Sequence, residues 1–460
     1  MKKRNFKFLV AILVARTIKL GLKLFKKNAT QLPGKIAIRI CPDFLGRIGK
    51  PEKLIAVTGT NGKTTVSNML TDILTANGYN VLDNKFGGNI NSGIASSLIS
   101  GSTFWGKAKH QVAVFETDER SSRTIYPYIT PDFIICTNLF RDSMPRNAHT
   151  EYIFDVINNH IPLESKLILN ADDLISSNLG KDNYTAFFGI DKLDTDTKEG
   201  NNIIQDIKNC PICDSKLEYD YLRYHHIGKA HCPNCEFKSK ESDYLVNTID
   251  FENKILRVNA KENIEEYRLI ANGIFNIYNQ IAVISVLKEF GLDYEKIKQS
   301  FENFKIVESR FSEEKFKDIS VVMQMAKGMN SVACSRAFDY FKHEPGKKAV
   351  ILNLDDLHDA HDSSENIVWI YDIDYELLND PSIAQVIIGG VRHKDHYLRA
   401  LLADIPVEKI FIAEKELDTA SLVDLNKIDK VFITYDVYTV HIANEVKDKL
   451  VSRINSEVNI

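Results

Sequence analysis

The chain has 460 residues, more than one hydrophobic core holds, so its length predicts several domains. Hydrophobic residues at 44% and charged residues at 26% describe an ordinary globular protein, and a net charge of -4 gives no argument for a nucleic-acid partner. Seven cysteines, four of them in two close pairs, exclude a regular disulfide framework and suit a reducing cytoplasm with one metal site.

The N-terminus, "MKKRNFKFLVAILVARTIKLGLKLFKK", joins a basic start to an apolar run that Arg16 interrupts. The run is too short to span a bilayer, and no small-residue cleavage site follows it. Leu9, Ile12, Leu13, Ile18, Leu20 and Leu24 follow a helical stripe. That predicts either a helix packed on the body or a basic amphipathic helix resting at the inner face of the membrane. "KLIAVTG" then predicts a buried strand and "TVSNMLTDILTANGY" a helix ending at Gly78. "HQVAVFETDE", "PDFIICTNLF" and "SKLILNADD" predict three further strands, so this part reads as α/β with a parallel, doubly wound sheet. Ligands of such sheets bind at the carboxyl ends of strands, where Thr58, Glu116, Thr137 and Asn170 fall. Residues 205–240 read as an insertion, and "NGIFNIYNQIAVISVLKEFGL" as the helix that closes the domain. "KKAVILNLDD", "IAQVIIGG", "VEKIFIAE" and "DKVFITYD" predict the strands of a second, Rossmann-like α/β domain. The expected division is 1–50 as lead-in, 51–305 as central domain and 306–460 as C-terminal domain.

"GTNGKTT", Gly59 to Thr65, is shorter than the general P-loop, which has a glycine where Val57 stands. The physics is shared. Glycines let backbone N–H groups turn toward phosphate oxygens, Lys63 adds charge, and Thr64 offers a hydroxyl to Mg²⁺. A helix starting near Thr65 adds its positive end. Gly59, Thr60, Asn61, Gly62, Lys63, Thr64 and Thr65 are therefore the candidate ATP-binding set. Glu116, with Asp118 and Glu119 after it, is either a second Mg²⁺ ligand or part of a solvated acidic loop. Arg310 either reaches the transferred phosphate or is a surface arginine. Cys210, Cys213, Cys232 and Cys235 have the C-x₂-C-x₁₈-C-x₂-C spacing of a closed, structural zinc ribbon. His225, His226 and His231 between the knuckles read as loop residues.

Together these residues resemble the Mur ligase family, which joins a carboxylate to an amine with ATP through an acyl phosphate. "TGTNGKTT" is similar to its signature loop, and "GIFNIYNQIAV" to its asparagine-bearing helix near the adenine, which implies roles for Asn276 and Asn279. "SRF" resembles the arginine motif opening its last domain. The zinc ribbon with "LPGKIAIRI", "TNLFRD" and "NADD" narrows the resemblance to the MurT-type synthetase subunits of lipid II isoglutaminyl synthase. That resemblance implies amidation of the α-carboxylate of D-glutamate in the lipid II stem peptide, with ammonia from a separate GatD-type glutaminase subunit. In such chains an aspartate before a Trp-Ile-x-Asp stretch completes the glutaminase triad. Here "WIYD" spans Trp369 to Asp372, and the matching position is Asn366 without a gap or Asp362 with an insertion. "QMAKGMN", Gln324 to Asn330, stands where the family has a Lys-Asn-Pro-Ala-Gly-like stretch. The alternatives are a Mur-type amino-acid ligase acting on another carboxylate and a non-catalytic nucleotide-binding paralogue.

Overall fold

The computed structural model describes residues 2–25, 30–85, 88–141, 149–200, 202–304, 311–326, 330–354, 367–436 and 438–457. Arg310, Asp362 and Asn366 lie outside the described residues, as do positions 327–329 of "QMAKGMN". The chain forms two compact units, one of Met1–Phe140, Thr150–Asn201 and Gln205–Lys305, the other of Arg141–His149, Asn202–Ile204 and Ile306–Ile460.

In the first unit the apolar runs become strands because their side chains are buried on both faces. β1 (Lys53–Thr58), β2 (Val81–Asp83), β3 (Val112–Glu116), β4 (Phe133–Cys136), β5 (Lys166–Asn170) and β6 (Thr185–Ile190) pair in parallel in the order β6-β5-β4-β1-β3-β2. β1 thus lies between β3 and β4, and the chain leaves it toward one side of the sheet and returns on the other. Such a reversal sets the carboxyl ends of the three strands around one crevice. The expected parallel sheet is extended at one edge by β9 (Tyr244–Asp250), β10 (Ile255–Ala260) and β11 (Asn263–Arg268), of which β9 is parallel to β6 and the rest form an antiparallel meander. β11, "NIEEYR", turns Glu265 and Tyr267 inward, and Lys288 meets the Glu265 carboxylate at 2.5 Å. β7 (Glu218–Tyr224) and β8 (Ile227–His231) form a separate hairpin in the cysteine-bearing insertion.

The N-terminal helix spans Phe6–Leu24, and the Asn5 side chain accepts the Phe8 N–H at its start. It packs on the body, but of the stripe read from the sequence only Ile12 is buried. Phe8, Ala11, Ile12 and Ala15 are buried, while Leu9, Leu13, Leu20 and Leu24 are exposed. The reason is steric: the two alanines admit close approach, which a row of leucines would not. Behind it, helix Leu32–Ile40 meets helix Asn91–Ser100 backbone to backbone. A Cβ built on Gly34 would fall 1.9 Å from the Ser92 carbonyl oxygen. No helix among the described residues is long and apolar enough to cross a membrane.

The second unit adds an antiparallel strand pair, β12 (Phe311–Phe316) and β13 (Ile319–Met325), to the expected runs β14 (Lys348–Asn353), β15 (Ile383–Gly389), β16 (Ile410–Ala413) and β17 (Lys430–Tyr435). The sheet order is β12-β13-β17-β14-β15-β16, parallel from β13 onward. Separate apolar cores cover its two faces, one containing Phe338, Phe341, Trp369 and Tyr375, the other Val446, Leu450 and Ile454.

Replacing Gly34 by alanine is expected to cost about 1–3 kcal/mol, because the added methyl meets backbone that cannot yield. Gly21→Ala, in the last turn of its helix with nothing within 4 Å of its Cβ position, is expected to gain about 0.5–1 kcal/mol. Thermal unfolding of the two variants should therefore shift in opposite directions; equal shifts would refute the assigned packing.

Candidate active site

The phosphate-loop candidates sit at the carboxyl end of β1, and glycine is required there twice. Gly59 (φ 119°) and Gly62 (φ 88°) occupy left-handed backbone, and Cβ atoms on them would lie 2.3 Å from Thr137 Oγ1 and from Asn279 Oδ1 respectively. The helix begins at Lys63, two residues before Thr65, so Lys63, Thr64 and Thr65 all lie in its first turn with its open N–H groups. The end of β4 holds the loop in place. Asn138 Oδ1 accepts the Asn61 N–H at 3.0 Å, and Asn138 Nδ2 donates to the Asn61 carbonyl at 3.1 Å. Thr137 Oγ1 donates to the same carbonyl at 2.6 Å, and Thr60 Oγ1 to the Phe140 carbonyl at 3.1 Å. Asn61 Nδ2 is buried and has no hydrogen-bond partner among the described residues.

Lys63 Nζ donates to the Gly59 carbonyl, to the Thr60 carbonyl at 3.2 Å and to Glu119 Oε1 at 3.0 Å. The Lys63 and Glu119 side chains are only 14% and 3% exposed, so water screens this pair weakly. Thr64 Oγ1 donates to Glu116 Oε2 at 2.8 Å, and Asn89 Nδ2 donates to Glu116 Oε1 at 3.1 Å. The solvated-loop alternative for this acidic stretch fails at Asp118 and Glu119, which are both buried. Asp118 accepts the Arg120 N–H and starts a short 3-10 turn that aims Glu119 at Lys63. These donor sets suit the expected groups. A glycine cradle, an unpartnered buried amide and a lysine fit a polyphosphate, and a hydroxyl beside a carboxylate fits Mg²⁺.

Asn276 and Asn279 lie on helix Ile274–Phe290. Asn279 is buried against Gly62, which puts it at the phosphate loop itself, whereas Asn276 is part-exposed in the first turn. In the second unit Asn330 ends "QMAKGMN" as a helix cap, accepting the Ala333 N–H at 2.9 Å. Trp369 is buried in "WIYD".

The sequence reading missed the network beyond β5. Asp173 accepts the Leu139 N–H and the Ser176 hydroxyl, each at 2.7 Å, and faces His226 Nε2 at 3.1 Å. His225 and His226 occupy the β7–β8 turn as expected of loop residues, but they are fully buried, and the His226 ring packs on Phe140 at 4.6 Å. Burial pushes the Asp173 carboxyl up, but the bonds from His226 and Ser176 outweigh it and hold it below its ordinary value. Arg223 of β7 meets Asp196 at 2.7 Å and Asp172 at 3.5 Å, and the Tyr278 hydroxyl donates to Asp172 at 2.7 Å. Burial opposes the Arg223 charge, yet Tyr278, Asp172 and Asp196 outweigh it and raise its pKa. The insertion is thus pinned to the strand ends that adjoin the phosphate loop.

The four thiols of the insertion lie within 4.8 Å of one another. Cys210 and Cys235 sulfurs are 3.4 Å apart, as are those of Cys213 and Cys232, far beyond a disulfide bond. The Ile212 and Asn234 N–H groups donate to Cys210 and Cys232 sulfurs at 3.4 Å; hydrogen bonding with Ser215 brings the Cys213 thiol down to about 6, whereas burial and the neighbouring thiols push Cys235 up to about 12. Four thiols gathered this closely can hold a metal ion.

A central parallel sheet with this loop, followed by a Rossmann-like unit, defines a Mur-type ATP-dependent ligase. The Mur ligase middle-domain family model matches residues 57–287, and the MurT ligase C-terminal model matches residues 328–440. Among solved structures, the chain is similar to a pseudomurein peptide ligase type C from Methanothermus fervidus (TM-score 0.66, 23% identity, 89% of this chain and 81% of that one). It is also similar to MurF from Thermotoga maritima in complex with ADP (TM-score 0.61, 15% identity, 93% and 85%). Subunit MurT of lipid II isoglutaminyl synthase (glutamine-hydrolyzing) from Staphylococcus aureus is 31% identical over 415 residues, covering 89% of this chain and 91% of that protein. The Streptococcus pneumoniae counterpart is 30% identical, covering 88% and 89%. The chain belongs to the MurT family.

Arg223→Met is expected to destabilise the first unit by about 3–5 kcal/mol, since it leaves enclosed Asp196 without its cation and Asp172 with Lys229 alone. Hydrogen exchange should then rise across 205–240; unchanged exchange would show that the network does not hold the insertion.

Proposed function

We propose that this chain is the synthetase subunit that amidates the α-carboxylate of D-glutamate in the lipid II stem peptide. The observation that carries the reading is the Thr64–Glu116 and Lys63–Glu119 constellation around a glycine cradle, in a chain with MurT relatives along 89% of its length. A carboxylate is a poor electrophile and needs a leaving group. Its oxygen attacks the terminal phosphorus of ATP, the bond to the bridging oxygen breaks, and ADP departs. Ammonia then adds to the acyl carbon, loses a proton, and inorganic phosphate leaves with the C–O electron pair.

Gly59 to Thr65 bind and orient the phosphates through backbone N–H groups. Thr64 and Glu116 would hold Mg²⁺, which would neutralise charge on the phosphate oxygens. Lys63 exchanges its loop carbonyls for phosphate oxygens while Glu119 keeps it oriented, and Arg310 is the further cation expected on the transferred group. Asn276 and Asn279 contribute to the nucleotide pocket. The ammonia source is a GatD-type glutaminase bound as a second subunit, with Asp362 or Asn366 completing its triad; a relative named as a glutamine-hydrolyzing subunit supports that reading. Zinc is the metal of the four cysteines, in a structural role.

Purified chain with ATP, Mg²⁺, ammonium and lipid II should give the acid-to-amide mass change on the stem peptide. Lys63→Ala should lower that rate by roughly a thousandfold with the fold retained, at a lowered unfolding midpoint because enclosed Glu119 loses its cation. Stimulation of ATP turnover by an amino acid and not by ammonium would replace the reading with an amino-acid ligase. Elemental analysis should find one zinc per chain, lost in Cys210→Ser together with order in 205–240. Absence of zinc in the native protein would refute the ribbon.

A further inference from the structure

The N-terminal helix is apolar on two opposite sides. One side, through Phe8, Ala11, Ile12 and Ala15, is buried in the first unit. The other, through Phe6, Leu9, Leu13, Leu20 and Leu24, is 79%, 40%, 52%, 62% and 77% exposed. Two apolar sides need two apolar surroundings, and the body of the chain covers only one of them. Lys7 and Lys23, both exposed, fall on either side of the outer stripe.

A second element adjoins it. Arg16 donates from the helix to the carbonyls of Ile99, Ser102 and Thr103 at 2.8–3.2 Å, and Arg4 donates to the Gly106 carbonyl at 3.0 Å. Phe8 and Ile12 also close on Gly106, leaving no room for a Cβ there. The tight loop between these anchors carries Phe104 and Trp105, whose rings meet edge-on at 5.1 Å and remain 55% and 63% exposed. The Arg16 guanidinium lies 5.9 Å from the Phe104 ring, so the two rings stand beside the flank of the outer stripe. Immobilising two large aromatic side chains in water, next to a row of bare leucines, has no stabilising outcome within the chain itself.

We propose that this surface seats the protein on an anionic phospholipid bilayer, with the outer stripe and the Phe104–Trp105 tip in the interfacial layer. Charge decides between a bilayer and another protein surface. The first 42 residues hold eleven Lys and Arg and no Asp or Glu, in a chain whose net charge is -4. A basic, apolar-faced helix with a tryptophan at its edge matches the lipid interface: lysines reach headgroup phosphates, and the indole occupies the polar–apolar boundary. The inference rests on geometry and charge, not on the amidation reaction, and its test needs no substrate.

Trp105 is a built-in probe, because the chain has two tryptophans and the other, Trp369, is buried. Full-length protein would be mixed with vesicles of equimolar phosphatidylglycerol and phosphatidylcholine, and with vesicles of phosphatidylcholine alone. Expected are co-sedimentation with the anionic vesicles, a blue shift of Trp105 emission and its quenching by bromine-labelled acyl chains. Salt at roughly 0.5 M should weaken binding several-fold. The pairs Leu13→Asp with Leu20→Asp, and Phe104→Ser with Trp105→Ser, should each reduce binding at least about tenfold with unchanged thermal unfolding, since all four side chains are exposed. Binding that ignores lipid charge, or that survives both pairs, overturns the proposal. So does a dimer in sedimentation that either pair abolishes, which would make the surface an interface between copies.

Discussion

The pairing of the Asn138 side chain with the Asn61 backbone is the constraint from which the rest of the site follows. One amide accepts an N–H and donates to the carbonyl of the same residue, as a neighbouring strand would, and so extends the ladder between β1 and β4 past its last regular bond. With that position fixed, Gly62 must turn left-handed, the helix must start at Lys63, and the lysine must return over Gly59 and Thr60. Glu116 and Glu119 then reach the loop from the neighbouring β3. Each depends on being placed by a loop whose own shape is set from the other side of β1.

Among the described residues, the enclosed charges around this loop have partners. Lys63 has Glu119, Asp172 has Arg223 and Tyr278, and Asp173 has His226. Removing a partner from such a pair is costlier than forming it was favourable, because the remaining charge has lost its water. The cysteine-bearing insertion supplies both Arg223 and His226. It is therefore a structural neighbour of the phosphate loop as well as the carrier of the four-cysteine cluster.

The glycine loop and the cysteine spacing were legible in the sequence because their geometry is local: a few adjacent residues dictate the backbone or the ligand set. Glu119, Asn138 and His226 were not read as site residues, because their partners lie far away in the chain and only the sheet order brings them together. The edge meander escaped for a different reason. β11 carries two glutamates, one of them facing inward, so it has neither the apolar run of a central strand nor a clean alternation. The N-terminal helix was legible as a helix, but which of its faces packs was not. Leucines signal burial by size, whereas alanines at Ala11 and Ala15 permit close contact without announcing it.

The way the sheets end limits how other chains can join them. In the first unit one edge strand, β2, has three residues, and the other, β11, alternates charge outward and buries a paired glutamate. In the second unit β16 has four residues, and β12 places Glu313 and Glu314 in ion pairs with Lys430 and Lys447. Short or charged borders do not accept a foreign strand. These borders disfavour strand addition, which directs a companion subunit toward docking by side chains against helices and loops. The same borders discourage runaway edge-to-edge stacking when many copies are made at once.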